Sequence, residues 1–243
     1  MLLGCLSLYA ADNDLITRQI TITLEKAGTL PDRIASSKKN KITNLKIIGE
    51  INGTDLRMIR EMAGSNSNGN STDGKLSVLD LSEAKIVKGG DCYLNNGYDY
   101  TSNDVIGSRA FLGCSGLTSL TLPADITSIG DEAFQGCSGL TSIYVYAEKV
   151  PKIDSNAFKG VDAKKCTVYV PMGTRDDYCA SDFGDYFENI VEFEATGIDK
   201  TTTSTDVEEV VRYSVNGQRL SAPTKGLNIV KYSDGSVKKV AVR

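Results

Sequence analysis

Ile106-Gly107-Ser108-Arg109-Ala110-Phe111-Leu112-Gly113-Cys114-Ser115-Gly116-Leu117-Thr118-Ser119-Leu120-Thr121-Leu122 is followed, 23 residues on, by Ile129-Gly130-Asp131-Glu132-Ala133-Phe134-Gln135-Gly136-Cys137-Ser138-Gly139-Leu140-Thr141-Ser142-Ile143-Tyr144-Val145. A looser third copy begins at Ile153-Asp154-Ser155-Asn156-Ala157-Phe158-Lys159-Gly160-Val161. Each copy keeps one order: an Ile before a turn residue, an Ala-Phe pair, a Gly, a small apolar residue, then alternating apolar positions. A unit this short cannot bury its apolar side alone, so it is stable only when stacked on its neighbours.

Each position has a physical task. Leu117, Leu120 and Leu122 point inward from a short strand while Ser119 and Thr121 point outward, because strand side chains alternate. The L-x-x-L-x-L pattern at this period is that of a leucine-rich repeat. Gly107 and Gly130 are expected at positive φ, with Asp154 tolerated at the third equivalent place. Ala110-Phe111 and its copies are expected in a helical turn closed by Gly113, Gly136 and Gly160. Phe111, Phe134 and Phe158 should stack as a ladder. The expected fold is α/β: a right-handed leucine-rich-repeat solenoid with a parallel sheet on the concave face and short helical turns on the convex face. A small C-terminal antiparallel β unit follows it.

The unit resembles the BspA-like leucine-rich-repeat family, whose copies read I-G-x-x-A-F-x-x-C-x-x-L-x-x-I-x-I-P. Pro123 and Pro171 stand after the strand, where the wider repeat pattern has Asn or Cys. Asn189-Ile190-Val191-Glu192 is similar to the end of that family's C-terminal cap. The resemblance implies a bacterial protein, secreted or surface-exposed, in a family where some members are adhesins for host proteins. The last residues resemble the C-terminal sorting modules of secreted Bacteroides-type proteins, Lys238, Lys239 and Arg243 fitting the basic final strand.

The 243 residues allow one large or two small domains. A net charge of −4 argues against nucleic acid as a partner, and the Lys38-Lys39-Asn40-Lys41 run reads as a solvated loop. The absence of His removes the commonest general base and transition-metal ligand. Residues 1–11 form an apolar run ending in Ala10-Ala11, read as a signal-peptide remnant. Leu3-Gly4-Cys5 also fits the end of a lipobox, so Cys5 offers a lipid anchor as the alternative, and this is the one membrane attachment expected. Cys114 and Cys137 share a place with Val161 and read as buried thiols. Cys166 and Cys179 are left open as a pair.

Residues 12–195 are assigned to the repeat domain with its caps, 196–209 to a linker and 210–243 to a C-terminal β-hairpin module. Ile20-Thr21-Ile22-Thr23-Leu24 alternates as a first strand, and a helical turn begins at Pro31. Thr54 is the expected cap of a helix over residues 55–63 with Leu56, Ile59 and Met62 on one face. Residues 65–74 read as a flexible polar loop, and 76–81 as another repeat strand. Residues 174–187 are expected as a helix followed by a turn, with Tyr178, Phe183 and Phe187 apolar. Asn216-Gly217 and Asp234-Gly235, each between strand-like runs, mark hairpins.

No catalytic residue, cofactor or metal site is assigned. Asp91, Asp99 and Asp104 match no calcium loop spacing. Carboxylate-pair chemistry needs two facing acids, and Asp80 alone is placed on the strands. The expected function is a protein-interaction or adhesion module for a host or envelope macromolecule, protein or glycan, with a structural subunit of a surface assembly, or a carboxylate-based glycan hydrolase or glycan-binding protein, as the alternatives. Candidate contact residues are Asp80, Thr121, Tyr144, Tyr146 and Tyr169 on the outward strand positions, and Tyr93, Tyr98 and Tyr100 in the insertion at 88–104. Tyrosines supply rigid amphipathic contact area, though they are also good strand formers. The insertion is either a second contact surface or a loop folded back on its own repeats.

Overall fold

The computed structural model describes residues 15–193 and four later strands, and the chain divides into two compact units, residues 1–195 and 196–243. The signal-peptide reading, Cys5, residues 194–208 and the Asn216-Gly217 and Asp234-Gly235 turns lie outside the described residues.

In the first unit, β1 (Ile20–Leu24), α1 (Leu30–Arg33), α2 (Ser36–Lys39), β2 (Asn44–Ile51), α3 (Gly53–Met62) and β3 (Val78–Ile86) precede the regular repeats. The repeats supply β4 (Val105–Ile106), β5 (Ser119–Thr121), β6 (Ser128–Ile129), β7 (Ser142–Tyr144), β8 (Lys152–Ile153) and β9 (Thr167–Pro171). The unit closes with α4 (Arg175–Cys179), α5 (Asp182–Tyr186) and β10 (Asn189–Phe193). Seven strands form one sheet in the order β1-β2-β3-β5-β7-β9-β10, every neighbouring pair parallel. The register pairs repeat-equivalent residues: Ser119 with Ser142, Leu120 with Ile143, Thr121 with Tyr144. A second parallel sheet, β4-β6-β8, is made by the Ile that opens each copy.

The Phe ladder is present. Phe111 and Phe134, and Phe134 and Phe158, stack at 5.2 Å with planes within 9° of parallel. All three are buried beside Leu120, Ile143 and Val168. Phe187 ends the ladder edge-on, 4.9 Å from Phe158.

The expected helical turns are not helices: no helix falls between α3 and α4. Alternate backbone donors go sideways, while Ala110 N, Leu112 N and Cys114 N bond three residues back within the turn. Arg109 N donates to Asp131 O, Phe111 N to Ala133 O and Gly113 N to Gln135 O, at 2.7–2.9 Å. The same bonds recur one repeat on, from Phe134 N to Ala157 O and Gly136 N to Lys159 O. Each turn is thus a rung bonded to the next, so the stack is held on both sides by backbone ladders. The glycine expectation is half corrected. Gly113, Gly136 and Gly160 have φ of 72°, 75° and 86°, but Gly107, Gly130 and Asp154 are not at positive φ. Gly107 and Gly130 are there for close approach: a Cβ would fall 2.4 Å from Tyr93 Oη in one case and 2.6 Å from Ser108 N in the other.

Helix α3 is capped by Asn52, not Thr54: Asn52 Oδ1 accepts from Thr54 N, and the Asp55 carboxylate accepts from Asn52 N. Asp55 also accepts from Gly28 N and Leu30 N, which pins the β1–α1 connection to the helix start. Leu56, Ile59 and Met62 are buried as the spacing required. Lys38 and Lys39 end α2 rather than lying in a loop. The helix expected from Thr174 ends at Cys179, and the segment expected as a turn holds a second short helix, α5, which starts where Ser181 Oγ accepts from Phe183 N.

The second unit contains β11 (Glu209–Ser214), β12 (Arg219–Leu220), β13 (Gly226–Tyr232) and β14 (Val237–Val242), antiparallel in the order β12-β11-β13-β14.

Candidate functional site

The outward side chains of the seven-stranded sheet form the candidate interface. Because the register is continuous, one row crosses all seven strands: Thr21, Lys46, Asp80, Thr121, Tyr144, Tyr169, Val191. Asp80, Thr121, Tyr144 and Tyr169 are therefore brought together on one face, and Tyr146, two residues on from Tyr144, joins them through Phe193; each is half-buried among its neighbours.

The row is aromatic at one end and charged at the other. Tyr144 and Tyr169 stack at 4.5 Å with planes 9° apart. Phe193, which the sequence reading left out, stands edge-on to Tyr144 at 5.7 Å and to Tyr146 at 5.0 Å. Burial raises the phenol pKa of Tyr144 above its ordinary value, and neighbouring Tyr169 and Tyr146 add to this. Burial does the same for Tyr146, reinforced by Asp80 and opposed by Lys46. These hydroxyls thus remain protonated donors at neutral pH. Tyr146 also feels Asp80 and Lys46 while touching Phe193, so the aromatic and charged parts are one patch.

At the charged end Lys46 Nζ lies 2.7 Å from Glu83 Oε1 and 3.4 Å from Asp80 Oδ2. The hydrogen bond to Glu83, with help from Asp80, raises the Lys46 pKa despite some desolvation. Glu83 reaches this face through a β-bulge. Lys46 pairs with Asp80 but Ile48 with Glu83, so β3 carries one extra residue. Leu81 and Ser82 are consecutively buried, and Ser82 N donates to Asp80 Oδ1. Strict alternation would turn Glu83 into the core; the bulge re-aims it. The two carboxylates share one ammonium on an open face, which is ion pairing rather than an acid and a base in a closed pocket.

The insertion at 88–104 belongs to the other side of the core. Asp91 bonds Thr54, Asn95 accepts from Arg57 and donates to Asn68, and Asp99 pairs with Arg109 at 3.1 Å. The loop at 65–74, expected to be flexible, is a hydrogen-bonded turn held to the insertion through Asn95 N and Ser67 O. The three insertion tyrosines separate. Tyr98 and Tyr100 are 83% and 51% exposed, whereas Tyr93 is 1% exposed and cannot offer a contact surface. Burial, more than its charged neighbours, pushes the Tyr93 phenol far above its ordinary pKa.

Tyr93 has a structural task instead, shared with Arg60. In the stack, Asp131 O, Ala133 O and Gln135 O accept from the preceding repeat. The first regular repeat has no such predecessor for Ser108 O, Ala110 O and Leu112 O. Tyr93 Oη donates to Ser108 O at 2.7 Å, and the fully buried Arg60 guanidinium donates to Ala110 O at 2.9 Å and Leu112 O at 3.1 Å. Two side chains stand in for the missing rung.

All five described cysteines are free, so Cys166 and Cys179 are not bridged. Cys137 Sγ donates to Phe111 O at 3.1 Å. Among the described residues no group of three or more His, Cys, Asp or Glu is placed to hold a metal, and Asp99 is committed to Arg109.

Residues 100–213 match the BspA type leucine-rich repeat region, in six copies. Repeats of this kind are generally surface or secreted modules for protein interaction or adhesion, and are typically non-enzymatic. The matched span begins after β3, yet the sheet extends three strands before it. No curated protein matches the chain. No helix among the described residues is long and apolar enough to cross a membrane.

Proposed function

We propose that this chain is an exported surface module that binds a macromolecular partner through the open face of its seven-stranded sheet. Tyr144, Tyr146, Tyr169 and Phe193 form the apolar centre, and Lys46, Asp80 and Glu83 the charged flank. One observation carries the reading: the register row places a packed aromatic cluster and a bulge-assembled ion trio side by side on an outward face. Interface centres are enriched in tyrosine, with polar groups at the rim. Tyr98 and Tyr100, on the insertion, are not needed. The general surface location of such repeats and the apolar start of the chain support export. The C-terminal strands with Lys238 and Lys239 fit a sorting module by sequence resemblance.

The test is a screen of extracellular proteins and glycans with the full chain, repeated with Tyr144→Ala/Tyr169→Ala and with Tyr98→Ala/Tyr100→Ala. Hits should be lost with the first pair and kept with the second. The reverse pattern would move the site to the insertion.

A further inference from the structure

Resting on that reading of the open face, we propose that its partner is an extended polypeptide segment laid across the strands. The segment carries a large apolar side chain at Tyr144 and Tyr169 and a basic side chain at Asp80 and Glu83. A folded domain and a glycan are disfavoured for separate reasons.

Size argues against a folded domain. Seven strands about 4.8 Å apart span about 29 Å. The strands run from three to nine residues, 38 in all, and at about 3.3 Å by 4.8 Å per residue the face covers on the order of 600 Å², against about 800 Å² from each side of a standard interface. The insertion adds nothing, because its bonds hold it to α3 and the turn side. An extended chain at about 3.3 Å per residue crosses the same face in about nine residues.

Ring geometry argues against a sugar. A pyranose packs its C–H face on an open aromatic face, where the quadrupole is negative. Here Tyr144 and Tyr169 cover one face of each other, and Phe193 stands edge-on to Tyr144 and Tyr146. Each ring of the cluster is thus in contact with another, which leaves less open ring face for a sugar. Charge selects the other end of the segment. Two carboxylates share one ammonium, so the trio is one unit negative, and the Glu83 side chain is 41% exposed against 20% for Asp80.

The register fixes the spacing. Tyr169 and Asp80 lie in one row, three strand gaps apart, or about 14 Å. That distance is about four residues of extended chain.

The experiment pans the full chain against a displayed library of random 12-residue peptides. The best sequence is then measured as a synthetic peptide by fluorescence anisotropy. The expected result is a consensus with an aromatic or large aliphatic residue four positions from a Lys or Arg. Tyr144→Ala/Tyr169→Ala should weaken it at least tenfold. Glu83→Gln should weaken it several-fold, and should leave unchanged the same peptide with its basic residue replaced by Met. Selection without a consensus, a consensus lacking the basic residue, or equal binding by the tyrosine double variant would overturn the proposal. A glycan or folded protein lost on Tyr144→Ala/Tyr169→Ala, with no peptide selected, would sink the peptide assignment alone. Binding by every ligand class that ignores the tyrosine pair would sink the open-face reading with it.

Discussion

Replacing Arg60 by Met tests how the stack is closed at its first regular repeat. The side chain is 0% exposed and has no carboxylate among its hydrogen-bond partners. Burial lowers its pKa from the usual guanidinium value. Arg109 O keeps an internal donor, Leu112 N, and Asn66 O keeps Gly69 N. Ala110 O and Leu112 O would lose the donors that hold them. A buried acceptor left unpaired costs about 1–3 kcal/mol. Relief from desolving the guanidinium offsets part of this. A buried ion pair can be replaced as a whole by apolar residues, but backbone carbonyls cannot be removed with their partner. A net loss of about 3 kcal/mol is therefore expected, which for a domain of this size lowers Tm by roughly 6–12 °C. Urea unfolding and thermal melting measure it. Tyr93→Phe, which orphans Ser108 O alone, should cost about 1–2 kcal/mol. If Arg60→Met stays within about 0.5 kcal/mol of the parent, the two side chains are not replacing a rung and the account of the stack's end is wrong.

Phe134→Ala should cost about 3–5 kcal/mol, because the ring stacks on both Phe111 and Phe158; a loss below about 1 kcal/mol in urea titration would contradict the ladder's role. Cys137→Val should fold, since Val161 holds the equivalent place, but with a loss of up to about 1.5 kcal/mol for the bond to Phe111 O; failure to fold would show that volume and not the bond decides. Native thiol titration at pH 8 should modify exposed Cys179 first and spare Cys114, Cys137 and Cys166. Burial pushes Cys114 and Cys166 up to about 12 and Cys137 well above its usual value. Rapid labelling of Cys114 in folded protein would refute that.

Much of the fold was legible because the repeat writes it twice. Leu117, Leu120 and Leu122 specify one strand, and the 23-residue echo specifies its parallel partner in register. What the turns do was not legible. Ala110-Phe111-Leu112-Gly113 suits a helical turn locally, and only the stack shows alternate N–H groups bonding sideways. Gly107 was read as a conformational glycine when it is a steric one, made necessary by Tyr93 from an insertion that no periodicity places.

The candidate site was half legible. Alternation put Asp80, Thr121, Tyr144 and Tyr169 on the outer face, and the structure keeps them there. Phe193 and Lys46 were missed because their strands, unlike that of Asp80, do not carry the L-x-x-L-x-L pattern. Glu83 was missed because strict alternation buries it. That conflict was itself the available signal, since an unpaired carboxylate does not enter an apolar core and the strand had to bulge. Tyr93 was misplaced beside Tyr98 and Tyr100 because a loop sequence does not reveal which tyrosine finds a backbone carbonyl, and here that carbonyl is Ser108 O.

The central claim is that partners meet the open sheet face and not the insertion. Hydroxyl-radical footprinting of the full chain, with and without a partner found by the screen, tests it residue by residue. Tyr144, Tyr146 and Tyr169 should lose labelling on binding while Tyr98 and Tyr100 keep theirs. Protection of Tyr98 and Tyr100 with unchanged labelling of the strand tyrosines would contradict it.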